Sequence, residues 1–76
     1  MPAKPSDPQT MSPLAREMEL RFLWGKEQDL LKRIHEKSKE KPSDERRQDL
    51  DSLAVELIQT LRRIRDLERA QRGVAP

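Results

Sequence analysis

The chain has 76 residues, enough for one small domain. A domain of that size buries only about 60% of its unfolded surface and inclines to self-association or partner binding. Charged residues make up 39% and apolar residues 33%, with one Phe, one Trp and no Tyr, which excludes a large globular core; the net charge of +2 lacks the excess of a dedicated nucleic-acid binder.

In chain order, residues 1–11 come first. Pro2, Pro5 and Pro8 fall among Ser, Asp and Gln. Each proline lacks a backbone donor and disfavours helix in the residue before it, so a disordered, extended arm is expected. Ser12 followed by Pro13 is a helix start signal, an N-cap hydroxyl ahead of a proline at the first helical position. The first helix is expected over 12–40 and a turn over 38–43, broken by Pro42. Ser43 caps a second helix over 44–72, with Asp44 and Glu45 in its first turn, where carboxylates complement the helix dipole. Gly73 stops it, and 73–76 read as a disordered tail. A short connection between long helices makes them antiparallel neighbours. The expected fold is all-α: an antiparallel two-helix hairpin of coiled-coil type spanning 12–72.

The second helix carries Leu50, Leu53, Ala54, Leu57, Leu61, Ile64 and Leu67 at spacings of three and four. That is a single apolar stripe facing a partner helix. Leu20, Leu23, Trp24, Leu31 and Ile34 form the matching stripe on the first helix, with Leu30 on its flank.

A second apolar set lies outside this seam. Leu14, Met18 and Phe22 recur every four residues, Gly25 follows, and Val55 and Ile58 fall off the seam of the second helix. A glycine inside a helix costs about 1 kcal/mol relative to alanine, so Gly25 reads as a point of close backbone approach. The competing reading is a helix that ends or kinks at Trp24–Gly25 and folds back. Leu14, Met18, Phe22, Gly25, Val55 and Ile58 are therefore the candidate protein interface, and two hairpins pairing into a four-helix homodimer is the economical assembly.

Charge along the second helix is uneven. Residues 42–60 hold two arginines against five carboxylates, and residues 61–76 hold five arginines against two. Arg62, Arg65, Arg69 and Arg72, spaced at three, four and three, form one row suited to bidentate phosphate contacts. They are the candidate nucleic-acid ridge for a sequence-independent duplex binder. Against that reading stand the intrahelical pairs Arg62–Asp66, Asp66–Arg69 and Glu68–Arg72, and the lack of interleaved aromatic residues.

Catalysis finds no support. The single histidine, His35, has Leu31, Lys32, Ser38 and Lys39 as its helical neighbours, so no metal-ligand set or nucleophile–base pair assembles around it. The chain has no cysteine, and its two glycines are too far apart for a phosphate loop. No catalytic residue, metal, cofactor or small-molecule substrate is expected. With no apolar run near the roughly 20 residues of a membrane span and no signal-peptide core, a soluble, cytoplasmic protein is expected, without membrane binding. The functional expectation is a non-enzymatic regulator, adaptor or assembly factor acting through protein contacts, with duplex nucleic-acid binding as the alternative.

Overall fold

Ser12 opens the first helix as its sequence requires: the Ser12 Oγ accepts from the Ala15 backbone N–H at 3.1 Å. In the computed structural model, which describes residues 7–73, helix α1 runs Pro13–Ser38. It passes through Trp24 and Gly25 without interruption, so the kinked alternative does not occur. Helix α2 runs Asp44–Gly73, capped by Ser43 Oγ, which accepts from the Arg46 N–H at 3.0 Å. The two helices pack against each other, and the described residues contain no strand.

The connection is held by its own polar groups. Lys39 and Glu40 donate backbone N–H groups to Glu36 and Lys37. Arg46 then reaches back from the first turn of α2, donating through Nη1 to the carbonyls of Ser38 (3.1 Å) and Glu40 (3.0 Å). These carbonyls lie at and just beyond the end of α1, and a guanidinium is a favourable partner there.

The seam differs in phase from the one read off apolar residues. On α1 the buried or half-buried positions include a row of Arg16, Leu20, Leu23, Glu27, Leu30, Ile34 and Lys37. On α2 they include Leu50, Leu53, Leu57, Thr60, Ile64, Leu67 and Gln71. Both rows alternate spacings of three and four throughout, the repeat of coiled-coil packing. Keeping that repeat requires Glu27 and Thr60 inside and turns Trp24, Leu31 and Leu61 outward. Leu30, read as a flank residue, is instead in the seam, and Ala54 is outside it.

The core is concentrated at the open end of the hairpin. Leu20, Leu23, Ile64 and Leu67 form its buried cluster, and Met11 packs against it. Residues 7–11, expected to be part of a disordered arm, form a turn here. Asp7 accepts from Gln9 N–H through Oδ1 (2.9 Å) and from Thr10 N–H through its carbonyl (3.0 Å). Arg16 ties the turn down: only 2% exposed, it donates to the Pro8 carbonyl at 2.9 Å and to Gln71 Oε1 at 2.6 Å. The expected arm at 1–6 and tail at 74–76 lie outside the described residues. Gly73, expected to begin the tail, is the last residue of α2.

Candidate interaction surfaces

Two helices side by side make a slab. Its extents are 51 × 28 × 17 Å, so it has two broad faces and two outer edges. At about 100° per residue, side chains clockwise of the seam on one antiparallel helix share a face with those counter-clockwise on the other.

One broad face is polar. Glu19 of α1 accepts from Arg63 of α2, with Arg63 Nη2 to Glu19 Oε1 at 3.2 Å, and Arg63 Nη2 also approaches Met11 Sδ at 3.6 Å. The hydrogen bonds that Arg63 donates to Glu19 hold its pKa above its ordinary value. Lys37 binds Asp49 at 2.8 Å and Glu40 at 3.0 Å, and those carboxylates, Asp49 first, hold it protonated well above the usual lysine range. Between the two bridges lies a shallow groove lined by Lys26, Glu56, Gln59 and Thr60.

The opposite broad face is apolar, and the apolar count along the sequence missed it. Trp24 (46% exposed), Leu31 (44%) and Leu61 (44%) each sit about 80° from the centre of their helix's seam, all turned to the side away from the ion pairs. Half-buried Leu50 and Leu57 and exposed Ala54 extend the face. The cross-hairpin contacts Arg16–Gln71, Glu19–Arg63 and Lys37–Asp49 fix the register. They place Trp24 level with Leu61 and Leu31 level with Ala54. The signal in the sequence was the unbroken three–four repeat, which admits only one of each neighbouring apolar pair, Leu23 or Trp24 and Leu30 or Leu31.

The expected interface residues do not come together. Leu14 (66% exposed), Met18 (64%) and Phe22 (70%) line the outer edge of α1. Val55 and Ile58, both about half exposed, lie on the outer edge of α2, across the width of the slab. Gly25 continues the α1 row, and a Cβ built on it meets nothing within 4 Å. No backbone of the hairpin approaches it, so the hairpin itself does not need the glycine.

Arg62, Arg65, Arg69 and Arg72 continue along the outer edge of α2 beyond Ile58, all exposed, and the last three flank a shallow groove with Glu68. Among the described residues the expected pairs Arg62–Asp66, Asp66–Arg69 and Glu68–Arg72 do not form: the ion pairs present are Glu17–Arg21, Asp29–Arg33, Lys37–Glu40, Lys37–Asp49 and Glu19–Arg63.

His35 is exposed on α1, with only its carbonyl engaged, by Ser38 Oγ at 2.7 Å. Among the described residues no group of three or more His, Asp or Glu is placed to hold a metal ion, and no helix is long and apolar enough to cross a membrane. Compared with protein-family models, with curated proteins and with solved structures, the chain matches none.

Proposed function

We propose that this chain is a non-catalytic helical-hairpin adaptor whose α1 outer edge is an anchor for an apolar groove on another protein. The observation that carries this reading is the row Leu14, Met18 and Phe22: three large apolar side chains, each about two-thirds exposed, on one line of a well-capped helix. Helix-in-groove recognition uses such rows, with anchors repeating each turn. Burial of each side chain contributes about 1.5–3 kcal/mol, enough for a three-anchor site of useful affinity. Gly25 supports the reading, because it leaves a notch beside Phe22 where a groove wall can approach the helix backbone.

The test is a photoreactive phenylalanine analogue placed at Met18 in the producing cells. One discrete protein adduct is expected, absent when the analogue stands at Ser52 on the polar face and lost when Phe22→Asp is added. An identical adduct pattern from positions 18 and 52 would reject the ridge as a docking site.

A second reading is favoured by the arginine row, which no carboxylate among the described residues neutralises. Four free guanidiniums along one edge suit the phosphates of a duplex, read by shape rather than by base. Duplex binding would then weaken steeply with salt, with a log–log slope near −0.9 per phosphate neutralised. Arg65→Glu with Arg69→Glu should abolish binding of a 20-base-pair RNA or DNA; unchanged affinity in a filter assay eliminates this alternative.

A further inference from the structure

The apolar broad face is not part of the α1 edge. We infer that it is the self-association surface of the chain, and that a second copy packs on it head to tail about a two-fold axis lying in the face and perpendicular to the helices, so that each helix packs antiparallel on its counterpart in a four-helix bundle. The inference deepens the interaction reading by naming one partner. It uses residues that the Leu14–Met18–Phe22 edge does not share, so either can fail without the other.

Three observations favour a second copy. The slab is 17 Å thick, a single layer of helices, whereas stable domains pack at least two layers around a core. The face measures 51 × 28 Å, ample for the roughly 800 Å² per partner of a standard interface. Its relief is self-complementary. With the axis midway between the levels of Trp24 and Leu31, the register places Leu61 against the partner's Ala54, a large side chain over one of the smallest. It places Trp24 against the partner's Leu31.

Charge then selects the orientation. At the open end Glu17 and Glu68 flank the apolar residues directly, with Arg65 and Arg72 further out on the α2 edge, and at the loop end Arg47 does, with His35 further out. Neither the Glu68 nor the Arg47 side chain takes part in an ion pair among the described residues. Head-to-tail pairing brings Glu68 beside the partner's Arg47, twice per dimer. Pairing with the open ends together would set the carboxylates of one copy against those of the other, which is unfavourable. The segment 7–11 crosses on the polar side, through Met11 and Arg63, and leaves the apolar face clear.

The single tryptophan reports directly on the proposal. At about 0.1 mM, light scattering should give twice the 8.9 kDa chain mass. Trp24 emission should lie to the blue there and move to the red on dilution, in step with the mass. Leu31→Glu should weaken dimerisation by roughly 100-fold or more, since each dimer loses two buried leucines, while circular dichroism stays helical. Phe22→Asp should leave the dimer intact. Glu68→Arg should weaken it, and adding Arg47→Glu should restore it. A monomeric mass at 0.1 mM overturns the proposal and leaves this face to a different protein. A dimer whose Trp24 emission ignores dilution, or that survives Leu31→Glu but not Phe22→Asp, overturns the assignment of the face. Failure of the charge exchange to restore the dimer overturns the head-to-tail orientation.

Discussion

Thr60 shows how a single polar side chain is accommodated in the seam. It is 4% exposed, and its hydroxyl donates to the Glu56 carbonyl one turn back at 2.8 Å, so no polar group is stranded. That back-bond adds little, because the carbonyl already belongs to the helix and such contacts slightly destabilise it. Thr60→Val should therefore stabilise the hairpin by about 0.5–1 kcal/mol. In a domain this small the melting temperature would rise by roughly 3–6 °C, and a lower one would mean that the hydroxyl has a tertiary role. Thr60 was not legible from its type. Counting apolar residues favoured Leu61, and only the strict alternation of threes and fours through Leu57, Ile64 and Leu67 places position 60 inside. Arg16 was illegible for a related reason. A guanidinium is assigned to the surface by default, and the partners that make its burial tolerable, Gln71 and the Pro8 carbonyl, are remote or in the backbone.

Among the elements, the helices and their ends were the most legible. Ser12, Pro13, Ser43, Asp44 and Glu45 announce two N-termini by local chemistry that needs no tertiary partner, and both serine hydroxyls cap as expected. The C-terminal side of α1 was less so. Its carbonyls are covered by Arg46, eight positions beyond Ser38, and no local motif encodes that reach. Gly25 belongs to this scale as well. It has open space around its missing Cβ and no positive φ, so alanine fits the hairpin without strain. Gly25→Ala should stabilise α1 by about 0.5–1 kcal/mol, read as a higher melting temperature. It should also diminish the Met18 crosslink, because the notch is filled. A stabilised helix with an undiminished crosslink would mean that the groove does not use the glycine.

At the scale of the whole molecule, the hairpin was legible from two capped helices and a short connection, but the distribution of its faces was not. A helical wheel gives the angle of each residue to its own axis. It takes the seam phase to say which outward side chains of α1 and α2 share a face. A shift in that phase moved Trp24, Leu31 and Leu61 from the interior to one surface, and it separated Leu14, Met18 and Phe22 from Val55 and Ile58 by the width of the slab. The candidate interface was thus legible as a set of exposed apolar residues and illegible as a place.

The position of the core has one more consequence. The buried cluster and Met11 close the open end, whereas the loop end relies on Lys37, Asp49, Glu40 and the reach of Arg46. Added salt screens exposed ion pairs within a few ångströms and, for excluded anions such as sulfate, strengthens apolar burial. The two ends of one short hairpin therefore answer to ionic strength with opposite signs. High sulfate loosens the turn while tightening the mouth, so a change of buffer shifts where the pair of helices first comes apart.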